Sequence, residues 1–256
     1  MFEILLLDLD DTILDFHKAE HIAIGKTFRE MGLAATDAVL ARYSAINKAC
    51  WEALERGEMT RAEVLVERFA RLFAEYGCDA DPTLCARTYE RNLGIGHYFL
   101  PGAEEAMEAL FGKYRLFLTS NGTASVQKGR MESANLYRFF EKVFVSQEIG
   151  ANKPAKAYFD RCFAQIPDFD PKKALIVGDS LSSDILGGNN AGIATCWVNP
   201  GHKLHPESIR VDYEIQAFAQ LPALLKALEV PPRPLNDHLS APLGSLWEGA
   251  VAAVRR

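Results

Sequence analysis

No apolar stretch of this 256-residue sequence approaches the ~20 residues that a membrane-spanning helix needs, so no membrane partner is expected. Long runs of lysine or arginine are also missing, and 28 basic against 34 acidic side chains leave a net charge of −6. A nucleic-acid polymer is therefore not the expected ligand, whereas a small phosphorylated metabolite stays open because local cations decide its binding. Cysteine is sparse and scattered: Cys50, Cys78, Cys85, Cys162 and Cys196 form no C-x-x-C pair. Neither a disulfide framework nor a zinc site is expected, and reduced thiols in a cytoplasmic protein fit the pattern. Met1 leads straight into an apolar run, with no signal-peptide pattern before it. What is present is a 48% hydrophobic share, enough for a real core, in a length suited to one large domain or two smaller ones.

That first run, Ile4-Leu5-Leu6-Leu7, reads as a strand buried on both faces, of the kind found inside a parallel sheet. It ends in Asp8, Asp10 and Asp11, with Thr12 following. Carboxylates at the C-terminal edge of a parallel sheet lie in the crevice where α/β proteins bind ligands. Asp8 and Asp10 share a side-chain parity if the strand geometry persists. Groups so close repel unless a proton or a cation holds them, and a hard cation with oxygen ligands, such as Mg²⁺, is the natural partner. Taken alone, the segment could equally be an acidic turn with Thr12 as a cap. Three later segments add to it. Arg115 to Gly122 is an apolar strand ending in Ser120 and Asn121; Gly150 to Pro154 sets Lys153 in a loop before a helix; Leu175 to Ser180 is an apolar strand ending in Asp179, with Asp184 beyond.

These clusters, in this order, resemble the haloacid dehalogenase-like hydrolase superfamily, whose pattern is Asp-x-Asp-x-Thr, Ser/Thr, Lys, then Gly-Asp-x-x-x-x-Asp. Here the matching residues are Asp8, Asp10 and Thr12, then Ser120, Lys153, Gly178, Asp179 and Asp184, and the resemblance spans roughly residues 1–228. It implies a Mg²⁺-dependent phosphoryl-transfer enzyme. Asp8 would be the nucleophile, forming an aspartyl-phosphate, and Asp10 the acid and base. Ser120, Asn121 and Lys153 would hold the phosphate. The metal would sit on the carboxylates of Asp8 and Asp179 and the backbone carbonyl of Asp10, with Thr12 and Asp184 in support, Asp184 orienting the loop or Lys153. An Asp at position 10 points to phosphatases or phosphomutases rather than to the family's dehalogenases, phosphonatases or transport ATPases. His21 keeps a sugar phosphomutase open, and a catalytically idle binding scaffold is the rival of a different class. Ile149 to Pro154, Asp184 to Gly188 and Ala194 to Asn199 look most like the pyrimidine 5′-nucleotidase-type phosphatases, which implies a nucleoside 5′-monophosphate as substrate.

Spacing locates an insertion. Asp10 and Ser120 are 110 residues apart, against 33 from Ser120 to Lys153 and 26 from Lys153 to Asp179; only the first exceeds what one helix-plus-strand unit needs. The expected architecture is α/β: a Rossmann-like, doubly wound parallel sheet (1–16 and 101–229) carrying an inserted helical bundle (17–100), a C1-type cap in family terms. Helices are expected over 17–31, 36–56, 60–76 and 82–93, with Thr60 and Glu63 as a capping box and Trp51, Leu54, Val64, Phe69 and Leu72 in the bundle core. Beyond a stiff Pro-rich linker at 230–234, a helix from about Leu246 with an apolar face including Trp247 is expected to dock on its own core or on a second copy, giving a homo-oligomer.

Overall fold

The structure, a computed structural model, describes residues 1–229. The linker, the amphipathic tail and the oligomer contact expected of it lie outside the described residues. Six parallel strands make one sheet: β1 (Ile4–Leu7), β2 (Arg115–Ser120), β3 (Lys142–Val145), β4 (Ala174–Gly178), β5 (Ala194–Val198) and β6 (Tyr213–Ile215), in the order β3–β2–β1–β4–β5–β6. The run Ile4–Leu7 is apolar throughout because both of its faces are covered. Leu5 and Leu7 join one buried cluster with Met107, Leu110 and Leu221, while Ile4 and Leu6 join another with Phe117, Phe144 and Phe159. From β1 the chain builds outward through β2 and β3, then crosses back to β4. The winding thus reverses at β1, which places the ligand crevice of such a sheet at the carboxyl ends of β1, β2 and β4.

After β1 come four helices of the inserted segment, α1 (Phe16–Glu30), α2 (Asp37–Glu55), α3 (Arg61–Tyr76) and α4 (Pro82–Leu93). Each starts on a residue whose side chain accepts a bond from the first-turn backbone: Asp15, Thr36, Thr60 and Asp81. At Thr60 the expected capping box is complete, with Glu63 returning a bond to the Thr60 N–H at 2.7 Å. The helix that follows stops at Gly77, whose φ of +61° a side chain would disfavour. Leu54, Val64, Phe69 and Leu72 are buried together with Tyr43, Phe73 and Tyr89. Trp51 departs from the expectation: it is half-buried at the margin of this cluster, because its indole N–H donates to Asn47 (3.1 Å) beside an open cavity.

The two connections between helices and sheet run side by side. Leu14 bridges Phe99; the Asp15 N–H donates to the Tyr98 carbonyl (2.7 Å) and the Leu100 N–H to that of Ile13 (3.0 Å). After them come α5 (Ala103–Leu110), α6 (Ala124–Ser133) following β2, α7 (Ser146–Ile149) and α8 (Lys156–Phe163) following β3, α9 (Leu186–Ala191) following β4, and α10 (Leu221–Glu229). A single helix is expected over 181–191, but its start is a π-turn, Leu181–Ile185. There the Ser180 hydroxyl takes the Ser183 N–H and the Asp184 carboxylate takes that of Ser180, in competition with regular helix bonding. Strand β6 is shorter than the expected 211–215, since Asp212 spends its side chain on the Thr195 N–H at 3.0 Å.

Candidate active site

Asp8 follows β1, Ser120 ends β2 and Asp179 follows β4, so three adjacent strands deliver three of the expected residues to one crevice. Lys153 enters from the loop between α7 and α8. Its ammonium is buried and donates to Asp8 (2.7 Å), to Asp184 (2.6 Å) and to the Thr119 carbonyl (3.0 Å). Burial opposes that charge, yet Asp184 and Asp8 outweigh it and raise the ammonium above its ordinary range. One oxygen of Asp184 accepts from the Lys153 ammonium and the other from the Ser180 N–H at 3.2 Å. Asn121 accepts from the Lys153 N–H and donates to its carbonyl, both at 2.9 Å. Its amide is thereby spent on fixing the lysine loop. Thr12 is wholly buried, its hydroxyl without a partner among the described residues, and the cap of α1 is Asp15 rather than Thr12.

The charges do not balance. Asp8, Asp179 and Asp184 each present a carboxylate oxygen within 4.8 Å of the others, and one lysine faces them. Among the described residues no cationic side chain pairs with Asp179. Burial, reinforced by Asp184 and Asp10 against the pull of Lys153, pushes Asp8 up to about 8. Burial, reinforced by Asp8, Asp184 and Asp11, raises Asp179 well above the carboxylate range. An all-oxygen donor set short of two positive charges, three carboxylates against one lysine, fits a hard divalent cation. The third acid of the opening motif, Asp11, has a different task. At φ +55° it turns its carboxylate onto the N–H groups of Phe16 (2.9 Å) and His17 (3.3 Å), starting α1.

Asp10 stands at the mouth of the crevice with both oxygens engaged. One is ion-paired with Arg130, and the other accepts from Gln127 at 2.6 Å; the same Gln127 amide reaches Ser120 Oγ at 2.8 Å. Gln127 and Arg130 lie three positions apart on α6 and are buried. The sequence does not single them out, because polar residues on a buried helix face betray themselves only once the helix is placed. Arg61 is equally unforeseen. From the first turn of α3 it donates to the carbonyls of Asn121 (2.8 Å) and Gly122 (3.0 Å), to Ser146 (2.5 Å) and to Asn152 (2.9 Å). Burial alone lowers its guanidinium from the usual arginine range. A second contact joins Glu55 of α2 to Ser182 at 2.7 Å.

Above the carboxylates a cavity of about 370 Å³ opens between helices and sheet, with Phe16, Trp51, Asn47, Glu20 and Arg68 on the helical side and Lys203 on the other. Glu20 is buried and takes bonds from Ser44 (2.5 Å) and Asn47 (2.6 Å), while Arg68 donates to Asn47 at 2.9 Å. His17 lines the cavity; His21 is exposed on α1 and does not.

Residues 5–198 match the family model described as haloacid dehalogenase-like hydrolase. The chain is 40% identical to the HAD-hydrolase YfnB of Bacillus subtilis, over 86% of this chain and 94% of that one. It is 35% identical to pyrimidine 5′-nucleotidase PynA of Streptococcus pneumoniae, over 86% and 93%, and 30% identical to pyrimidine 5′-nucleotidase YjjG of Escherichia coli, over 86% and 96%. A crystal structure of YfnB bound to magnesium superposes with a TM-score of 0.84, covering 88% of this chain and 98% of that one.

Proposed function

The chain belongs to the haloacid dehalogenase-like hydrolase family, and on that premise we propose that it is a magnesium-dependent phosphatase acting on a nucleoside 5′-monophosphate. The observation that carries this reading is the convergence of Asp8, Lys153, Ser120 and Asp179 on one crevice, with Asp10 at its mouth. The carboxylate of Asp8 attacks phosphorus, the ester P–O bond breaks, and the leaving oxygen takes a proton from Asp10. In the second half a water gives a proton to Asp10, its oxygen bonds to phosphorus, and the Asp8–phosphorus bond breaks. Ser120 and the N–H groups after Asp8 hold the phosphoryl oxygens, and Lys153 offsets charge on nucleophile and phosphate. Asp8 and Asp179 would hold the metal together with the Asp10 carbonyl. When bound, a magnesium ion supplies charge neutralisation, letting an anionic nucleophile meet an anionic ester.

Residues 17–100 act in this reading as a cap whose inner face meets the rest of the substrate. The names of the PynA and YjjG relatives support a nucleotide. So does the cavity, where Phe16 and Trp51 offer ring faces and Asn47, Glu20 and Arg68 offer polar partners. The histidine that keeps a mutase open, His21, lies outside that cavity, so hydrolysis is the reading retained. Five unpaired thiols suit a reducing, cytoplasmic setting. The test is a panel of nucleoside monophosphates and sugar phosphates, each assayed with EDTA and again with Mg²⁺. Phosphate release led by pyrimidine nucleotides, lost on chelation and restored by Mg²⁺, is expected. Activity indifferent to chelation would overturn the metal assignment, and interconversion of sugar phosphates without net release would overturn hydrolysis.

A further inference from the structure

Arg130 is wholly buried, and the proposed chemistry gives it no task. Its guanidinium is shared among four neighbours. It is ion-paired with Asp10, donates to Gln127 at 3.2 Å and to the Gly96 carbonyl at 3.1 Å, and lies 5.7 Å from the Phe16 ring centroid; one nitrogen, Nη2, has no partner among the described residues. Stability does not account for such a residue. A buried ion pair roughly breaks even against well-packed apolar side chains, and an unpartnered buried donor is a cost. What a buried guanidinium supplies that an apolar residue cannot is a rigid planar fork, fixing several acceptors in one geometry. Here the acceptors are the expected proton-transfer group and the backbone of one helix–sheet connection, Gly96, while the ring beneath the fork, Phe16, opens the helix after the other connection.

We propose that Arg130 is a positioning residue: together with Gln127 it aims the Asp10 carboxylate, and through Gly96 and Phe16 it makes that aim depend on where the two connections stand. This rests on the reading of Asp10 as the acid and base of a phosphatase. Gln127 completes the hold from the same face of α6, taking the second Asp10 oxygen and tying it to Ser120, one of the expected phosphate ligands. A lysine at position 130 keeps the charge but not the fork, so it can serve Asp10 or the Gly96 carbonyl but not both in one plane.

The test separates aiming from general support by the leaving group. Departure of p-nitrophenolate needs no proton, whereas departure of a nucleoside 5′-hydroxyl does. In Arg130→Lys, and in Arg130→Gln as a second variant should the first fail to fold, kcat on a nucleoside 5′-monophosphate should fall about 100-fold at unchanged KM, while first-turnover release of p-nitrophenolate should stay within about threefold of wild type. That release should appear as a burst, because hydrolysis of the phosphoaspartate still calls on Asp10. In an Asp10→Asn background the Arg130 substitution should add nothing, since the two act as one unit. Equal losses on both esters, or full additivity with Asp10→Asn, would overturn the positioning role and leave the phosphatase intact. Unchanged kcat in both variants would do the same. A wild-type protein that hydrolyses neither ester would overturn the phosphatase reading, and this one with it.

Discussion

Asp8 is a carboxylate that the proposed chemistry needs as an anion and that its surroundings push toward the acid. Its ionisation sits at about 8, raised by burial and by the neighbouring carboxylates. Between the ordinary carboxylate range and that value the folded chain holds a proton that the unfolded chain has released. Without a divalent cation, stability therefore falls as pH rises through this window. Thermal melts in chelator should show a midpoint that drops from about pH 5 to about pH 8, and Mg²⁺ should flatten the slope if it binds the ionised cluster. Asp8→Asn removes the titrating group, so its melts in chelator should vary less with pH and lie at or above wild type near pH 8. The same variant should lose about 10⁴-fold or more in turnover, because an amide is a poor nucleophile; wild-type turnover in Asp8→Asn would refute the role. The sequence exposes Asp8, Asp179, Lys153 and Ser120 because each stands at the end of an apolar strand or beside a proline and glycine. It hides Arg130 and Gln127 because nothing in α6, whose buried positions include Val126 and Met131 as well as these two polar residues, says which polar side chain turns inward.

Among the elements, α9 explains its own sequence. Gly187 and Gly188 read as packing residues rather than a phosphate cradle, and a methyl group at Gly188 would meet Ile176 Cγ2 and Thr195 Cγ2 at 2.6 Å. Both neighbours are β-branched strand residues with little room to turn. Gly188→Ala should accordingly destabilise the fold by about 1–3 kcal/mol, read as a lower denaturation midpoint at unchanged slope. The same mutation should leave KM alone if the pair only packs. Helices α1–α4 lie within two residues of where apolar period, caps and glycines put them, since those signals are local. The π-turn before α9 and the shortened β6 were not legible. Both arise from side chains, Asp184 and Asp212, whose hydrogen bonds to backbone N–H groups depend on neighbours brought close only by folding.

At the scale of the whole molecule, the helical layer touches the sheet's crevice through few polar contacts, and Arg61 makes most of them. One guanidinium from α3 fixes the Asn121–Gly122 turn that follows Ser120 and the loop carrying Lys153. Arg61→Ala should leave the fold melting near wild type, because the side chain is only half-buried. It should cut kcat/KM by about 100-fold, since small displacements of positioned groups are expensive. A larger radius of gyration in solution scattering would accompany the loss, and unchanged activity would mean that the contact is incidental. The insertion itself was legible from spacing. The contacts that seat it were not, because Arg61 reads as an ordinary first-turn residue of a capped helix.

The two connections described above, laced together by backbone bonds at Ile13–Asp15 and Tyr98–Leu100, would be the fulcrum of any swing of the helices over the sheet. A body held at one short seam can swing but cannot slide away, so displacement grows with distance along the lever. In such a swing Asp10, next to the seam, would shift least. Arg61 and Glu55, whose contacts lie away from the seam, would travel furthest and break contact first. Such a swing would open the far side of the pocket for exchange of the proposed ester while the proposed proton-carrying group barely left its post.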